Sequence, residues 1–138
     1  STVQAEILQI LGELRNDANL AMVIISHDLT VVNRVADDVL VMYGGKIVES
    51  GPTDLVLSDP VHPYTRGLLD SVPRLTDEPT SLPSMATGGM PIQGCPFQPR
   101  CLLAVAECET TSPSLEIIGA TSVACPPALA KRSSVAAS

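Results

Sequence analysis

The 138-residue sequence is poor in aromatic residues, with no tryptophan, one phenylalanine and two tyrosines. Domains of roughly 100–150 residues commonly fold on their own, so the length alone permits an independent domain. A core in which Tyr43, Tyr64 and Phe97 are the only aromatic side chains would contain few large groups. The composition therefore argues against one self-sufficient domain that spans the whole chain.

Basic residues are also scarce, and the formal net charge is −7, with 8 Lys and Arg against 15 Asp and Glu. Binding to phosphate backbones depends on clustered Lys and Arg, which are scattered here, so nucleic acid is disfavoured as a partner. No apolar run approaches the ~18 residues that span a bilayer, and the N-terminus lacks the charged-then-apolar pattern of a signal peptide. These absences predict a cytosolic protein.

The N-terminal region has the pattern of a helix, a buried strand and a second helix. One apolar stripe along a helix of about four turns is formed by Val3, Ile7, Ile10, Leu11 and Leu14. The apolar run Leu20–Ile25 predicts a central strand of a parallel sheet that is buried on both faces. Asp28 suits the N-cap of the next helix, which starts at Leu29. This order indicates a parallel α/β arrangement.

His27 follows the apolar run directly. Open α/β folds bind ligands at the carboxyl ends of their strands, so the sequence predicts that His27 lies at a ligand-facing edge. The alternative is an ordinary strand-end histidine without a chemical role, since a single His is weak support for a site.

A glycine pair, Gly44-Gly45, separates two segments rich in β-forming residues and tolerates the positive φ angles of a tight turn. The sequence therefore predicts a hairpin over Val39–Ser50. Because Lys46 follows the pair, a phosphate-binding loop is an alternative, but that loop needs Gly, four residues, Gly-Lys and then Ser or Thr. Ile47 stands at the last position, which favours the turn.

Two short helices are predicted after the hairpin. Thr53 can cap the first, which runs through Leu57, and Asp59-Pro60 ends it because the residue before proline avoids helical geometry. Pro63 suits the first turn of the second helix, where its missing N–H costs nothing, and Pro73 ends it.

Proline and glycine accumulate after these helices and mark a linker. The predicted organisation is an α/β part over 1–73, a linker over 74–94, a cysteine-rich extension over 95–127 and a disordered tail over 128–138.

All four cysteines follow the linker, at Cys95, Cys101, Cys108 and Cys125. Four thiolates can enclose one iron–sulfur cluster or one tetrahedral zinc ion. The spacings match neither zinc ribbons nor the common ferredoxin runs, so spacing alone leaves the metal open. Disulfides are disfavoured in a reducing cytosol, and free thiols are a further alternative.

The chain resembles the ATP-binding subunits of oligopeptide and dipeptide ABC importers from about Thr2 to Pro126. The resemblance is carried by Ser26-His27-Asp28 after a buried strand, Gly44-Gly45-Lys46, His62-Pro63-Tyr64-Thr65, and the cysteine motif from Cys95-Pro96-Phe97 to Cys125-Pro126. It implies the C-terminal portion of an ABC-type nucleotide-binding domain, with parallel strands and a β-hairpin, followed by a small irregular cysteine-rich metal-binding extension.

The resemblance also implies a function, the import of peptides across the plasma membrane from a peripheral position on its cytoplasmic face. In the full subunit, His27 would contact the γ-phosphate of ATP, with magnesium as a second cofactor. The four cysteines would hold a [4Fe-4S] cluster, with zinc as the alternative. The implied partners are a second ABC ATPase domain, two transmembrane permease subunits and an extracytoplasmic peptide-binding protein.

Four parts of such an ATPase are missing from the 138 residues: the phosphate loop, the acidic strand end that holds magnesium, a catalytic carboxylate and the signature loop. The 138-residue chain alone is therefore predicted to be inactive in ATP hydrolysis. Two other interpretations stay open. One is a stand-alone zinc- or iron–sulfur-binding regulatory module, and the other is the ATPase of an importer for nickel or another small solute.

Overall fold

The computed structural model describes residues 2–72 and 90–136. The chain divides into two compact units, Ser1–Asp37 and Asp38–Ser138. The predicted linker over 74–94 lies mostly outside the described residues. The predicted domain limits therefore stay a prediction.

The first unit contains two helices, α1 (Thr2–Asp17) and α2 (Leu29–Val35). Asp28 is the N-cap of α2, and its Oδ1 accepts hydrogen bonds from the N–H groups of Thr30 at 2.9 Å and Val31 at 3.4 Å. These bonds satisfy two backbone donors that have no partner within the helix. The predicted cap is confirmed.

The segment between α1 and α2 differs from the prediction, because residues 20–26 form no strand. Val23 is 92% exposed and Ile25 is 97% exposed. A central parallel strand needs a hydrogen-bonding neighbour on each side and cover on both faces, and no described residue of this unit supplies either. The prediction of a buried strand over Leu20–Ile25 is therefore wrong for this structure, and the apolar stripe of α1 is likewise exposed.

The second unit contains a four-stranded sheet with the order β1-β2-β4-β3. The strands are β1 (Asp38–Tyr43), β2 (Lys46–Pro52), β3 (Glu116–Ile118) and β4 (Thr121–Val123). The predicted hairpin is confirmed, and Gly44 and Gly45 have φ angles of 59° and 76°. A two-residue turn can join only antiparallel strands.

All pairings in this sheet are antiparallel, which corrects the prediction of parallel strands. The α/β class is retained. The sheet also includes β3 and β4, two strands that the sequence analysis placed inside an irregular extension. β4 lies on the open edge of β2, where Glu49 pairs with Val123 and Ser50 with Ser122, and β3 pairs with the other edge of β4.

Three helices accompany this sheet: α3 (Thr53–Ser58), α4 (Pro63–Asp70) and α5 (Pro126–Ala136). The first two match the predicted short helices, but the predicted cap by Thr53 is wrong. Thr53 is the first residue of α3, Pro52 holds the N-cap position, and no side-chain hydrogen bond caps this helix. In contrast, α5 occupies most of the segment 128–138 that the sequence predicted to be disordered. Ala128 of α5 is buried against Val61 and Val123, and Arg132 forms an ion pair with Asp59. These contacts stabilise the helix. No periodic pattern in the sequence predicts them.

Two small apolar clusters form the core of the second unit. One is centred on Val41, Val48 and Val56, and the other contains Val61, Val123, Cys125 and Ala128. In residues 2–72 and 90–136, no helix combines the length and apolar character needed to cross a membrane.

Candidate functional site

His27 lies at an exposed bend just before α2. The N–H of the next residue, Asp28, donates to Ser26 Oγ at 3.0 Å, so the backbone on both sides of His27 is held locally. The described part of this unit has no strand end beside the histidine. Its contact with ATP therefore stays a prediction.

The structure brings the four cysteines to one cavity of about 50 Å³, lined by Cys95, Cys101, Cys108 and Cys125 together with His62 and Phe97. They reach it from separate parts of the chain. Cys95 and Cys101 lie on either side of a short 3-10 turn, Gln98–Arg100, and Cys108 lies in a second one, Ala106–Glu109. Cys125 lies two residues after the end of β4, so this strand of the sheet positions the fourth thiol.

A close backbone approach joins the first and third cysteines. The N–H of Cys95 donates to the carbonyl oxygen of Cys108 at 2.9 Å. Gly94, with φ of 78°, makes this approach possible, because a Cβ there would lie 2.6 Å from the backbone carbonyl carbon of Glu109. Only glycine fits this position without a shift of the backbone.

Burial controls the charge of the thiols that lie deepest. Desolvation raises the pKa of Cys101 above its ordinary value and raises the pKa of Cys125 to about 11. The N–H of Leu103 opposes this effect at Cys101 by donating to Sγ at 3.3 Å. Both side chains are therefore neutral thiols near neutral pH, and any metal that binds them must displace protons.

In the described residues, no group of three or more His, Cys, Asp or Glu side chains is arranged to hold a metal ion. The structure thus gathers the four predicted ligands around one cavity without forming a coordination site. The assignment of Cys95, Cys101, Cys108 and Cys125 as metal ligands stays a prediction.

The three aromatic residues of the chain meet beside this cavity. Tyr43 packs on Tyr64 with ring centroids 4.7 Å apart and on Phe97 at 5.3 Å, while Tyr64 and Phe97 are 5.5 Å apart. Edge-to-face contacts of this kind stabilise a fold beyond the area that they bury. The cluster ties the hairpin and α4 to the segment that carries Cys95.

Two buried polar residues, Glu49 and His62, complete the site. Neither was predicted from the sequence to have a chemical role. The carboxylate of Glu49 accepts from the N–H of Val61 at 2.8 Å and from the N–H of His62 at 3.1 Å. The sequence did contain two signals for this pair of residues. They are a charged residue, Glu49, inside a predicted strand and the later motif that begins with His62-Pro63. The burial of Glu49 depends on β4, a strand that no local pattern in the sequence predicted.

His62 is 1% exposed and lines the cysteine cavity. Its Nδ1 accepts from the N–H of Tyr64 at 3.1 Å, which caps α4. Desolvation by burial lowers the pKa of His62 to about 4, so the imidazole is neutral at neutral pH. Its Nε2 is buried and has no hydrogen-bond partner in the part of the chain that is described.

Part of the chain matches a known protein family, and several known proteins are similar to most of it. Residues 48–108, which run from β2 through the third cysteine, match the sequence model of a family described as "Oligopeptide/dipeptide transporter, C-terminal region". The matched residues include β2, the His62-Pro63-Tyr64 motif and three of the four cysteines that line the cavity. The chain is thus similar, over this part, to the C-terminal region of oligopeptide/dipeptide transporter proteins.

Individual relatives match over most of the chain. A Brucella abortus protein provisionally named as a peptide import ATP-binding protein is 41% identical over 133 residues, which are 93% of this chain and 40% of the relative. The dipeptide transport ATP-binding protein DppF of Haemophilus influenzae is 40% identical over 83% of this chain and 37% of the relative. The di/tripeptide transport ATP-binding protein DppF of Pseudomonas aeruginosa is 40% identical over 90% of this chain and 40% of the relative. The chain thus spans about two fifths of the length of these relatives.

Proposed function

We propose that the protein is an ATP-binding subunit that couples ATP hydrolysis to the import of peptides, with dipeptides and oligopeptides as the substrate class. The observation that carries this proposal is the match of residues 48–108 to the transporter family, together with 40–41% identity to relatives named for peptide or dipeptide transport. Its partners are a second ATPase domain, two permease subunits and a peptide-binding protein. It acts at the cytoplasmic face of the plasma membrane.

In this proposal His27 contacts the γ-phosphate of ATP and helps to position the attacking water. Phosphoryl transfer depends mainly on such positioning and on electrostatic stabilisation. The cap that Asp28 forms on α2 supports this role, because it holds the backbone next to the histidine. Magnesium and the rest of the ATP site come from parts of the subunit outside these 138 residues.

ATP hydrolysis by the full-length protein tests this role. We expect His27→Ala to lower kcat about 10²- to 10³-fold, the cost typical of removing one electrostatic contact in a transition state, while ATP binding changes little. Asn33→Ala, at an exposed residue of α2, is the matched control and leaves the rate unchanged. Equal rates for His27→Ala and the wild type would contradict the proposal.

We also propose that the four cysteines hold a structural [4Fe-4S] cluster, with zinc as the alternative. The donor set supports a cluster, because four thiols from four separate positions line one cavity. The cluster would join Cys125 after β4 to the two 3-10 turns.

Metal analysis of the full-length protein, purified without oxygen, tests the cluster. We expect iron and acid-labile sulfide in near-equal amounts, and we expect both to be lost in Cys101→Ser. Ser114→Ala, an exposed position in the same region, controls for handling and keeps both. Zinc without sulfide would replace the proposed cluster by a zinc site. If the protein contains neither iron nor zinc, the proposal that the cysteines hold a metal fails.

A further inference from the structure

The buried nitrogen Nε2 of His62 is a polar group that the proposed function leaves without a role. It has no hydrogen-bond partner in the described residues, although the side chain is 1% exposed. A buried polar group without a partner costs roughly 1–3 kcal/mol. Buried polar groups in native proteins are nearly always hydrogen-bonded, so this nitrogen calls for an acceptor.

The hydrogen bonds of His62 determine what kind of partner this is. Because Nδ1 accepts the N–H of Tyr64, the proton of the neutral ring is on Nε2. A metal-bound histidine ordinarily donates its second ring N–H to a neighbouring acceptor. His62 has the opposite arrangement, so Nε2 is a donor and not a metal ligand.

The cavity next to His62 identifies the acceptor. Four lining residues are buried, namely His62, Phe97, Ala124 and Cys125. Among them, Cys125 is the one other residue whose side chain carries an acceptor atom. Of the other lining residues with oxygen acceptors in their side chains, Gln98 is half-buried, and Glu107 and Thr111 are exposed. Sulfur is therefore the side-chain acceptor that the buried part of the lining contains besides His62 itself.

We infer that Nε2–H of His62 donates a hydrogen bond to a sulfur atom of the iron–sulfur centre in this cavity, and that His62 is a positioning residue for that centre. The inference rests on the proposed function, which supplies the centre. Glu49 supports it, because its carboxylate binds the N–H groups of Val61 and His62 and so holds the histidine in place. Hydrogen bonds to sulfur are one of the means by which a protein sets the reduction potential of a cluster.

Two substitutions separate the two ring nitrogens. His62→Asn keeps an acceptor near Nδ1 for the cap of α4 but has no group at Nε2. His62→Gln places an amide N–H near Nε2 but loses the capping atom. Thr53→Val is the control, because the hydroxyl of Thr53 is also buried, has no hydrogen-bond partner within residues 2–72 and 90–136, and does not line the cavity.

The experiment uses the full-length protein, purified without oxygen and carrying isotope-labelled histidine. A reductive titration gives the potential of the cluster, and pulsed electron paramagnetic resonance of the reduced cluster detects histidine nitrogen. We expect a weak nitrogen coupling in the wild type that is absent in His62→Asn. We also expect the reduction equilibrium of His62→Asn to fall about tenfold, which for one electron is a shift of about 59 mV to more negative potential. His62→Gln retains most of the wild-type potential, and Thr53→Val does not change it.

Three results would overturn the inference while leaving the cluster in place. They are an unchanged potential in His62→Asn, an equal shift in Thr53→Val, and a strong nitrogen coupling that makes His62 a ligand. If the wild type contains no iron and sulfide, the proposed cluster fails instead. Nuclear magnetic resonance of His62 then decides the inference for the thiols themselves: an Nε2–H signal that moves in Cys125→Ser supports it, and an Nδ1–H tautomer or an unmoved signal rejects it.

Discussion

At the scale of single residues, the cysteine cavity depends on positions other than the four cysteines. Gly94 allows two backbone segments to approach, and Glu49 holds the N–H groups that precede α4. His62 turns one nitrogen to the helix and leaves the other buried. Each of these residues acts by fixing geometry.

Substitution of Gly94 tests the close approach of Cys95 and Cys108. Gly94→Ala combines a left-handed φ, which costs an L-residue about 1–2 kcal/mol, with overpacking, which adds roughly 1–3 kcal/mol. Gly119→Ala is the matched control, because its φ of 62° is similar but nothing lies within 4 Å of an added Cβ. We expect chemical denaturation to show a larger loss for Gly94→Ala. Equal losses would mean that the backbone approach is not tight.

The buried imidazole of His62 predicts how stability depends on pH. Its pKa is about 4 in the folded protein and 6.5 in an ordinary environment, so the unfolded chain binds more protons between these values. Stability is therefore complete above about pH 6.5 and falls as the pH decreases toward 4, by roughly 3 kcal/mol at 1.36 kcal/mol per pKa unit.

Urea denaturation of wild type and His62→Asn across this range measures the effect, because the variant loses this titration and keeps the cap. We expect the two stability curves to converge as the pH falls. Parallel curves would show that His62 is not buried as a neutral ring.

At the scale of secondary-structure elements, short pieces gain their stability from one or two tertiary contacts. The strands β3 and β4 have three residues each, and β4 is held by its pairing with β2. The helix α5 is anchored by the buried Ala128 and by the ion pair between Arg132 and Asp59. An isolated helix of this length is marginal in water.

A charged substitution on the buried side of α5 tests whether these contacts stabilise the helix. Ala128 is 6% exposed, so Ala128→Asp places an unpaired carboxylate in the core and is expected to cost roughly 3–5 kcal/mol. Ala130→Asp on the exposed side of the same helix should change stability by less than about 0.5 kcal/mol. Thermal unfolding followed by circular dichroism compares the two. Similar values would restore the expectation of a disordered tail.

At the scale of the whole molecule, the two units differ in how well they bury apolar groups. The second unit has two apolar clusters and a shared aromatic cluster. The first unit exposes Val23, Ile25 and most of the stripe of α1. Contiguous exposed apolar surface favours association.

We therefore expect the isolated 138-residue chain to bind a hydrophobic dye and to self-associate as its concentration rises. The double variant Val23→Lys/Ile25→Lys should reduce both effects. Asn16→Lys/Asn33→Lys adds the same charge at exposed polar positions of the same unit and serves as the control. If both variants act equally, net charge and not the apolar segment controls association. Dye fluorescence and sedimentation velocity provide the measurements.

Local chemistry in the sequence was sufficient to predict several features. The glycine pair predicted the hairpin, Asp28 predicted the cap of α2, and Pro60 and Pro63 predicted where α3 ends and α4 begins. The four cysteines were recognised as one set, and all four line one cavity. These features depend on φ preferences, missing donors and side-chain hydrogen bonds that act within a few residues.

The tertiary structure alone decided the rest. An apolar run over 20–25 predicted a strand, but a strand needs hydrogen-bonding neighbours, and no described residue of its unit provides them. The burial of Glu49 and His62, the pairing of β2 with β4 and the anchoring of α5 join residues far apart in the chain. Such contacts form only when segments that are distant in the sequence come together in the folded chain. A pattern of residues along the sequence does not show which segments those are.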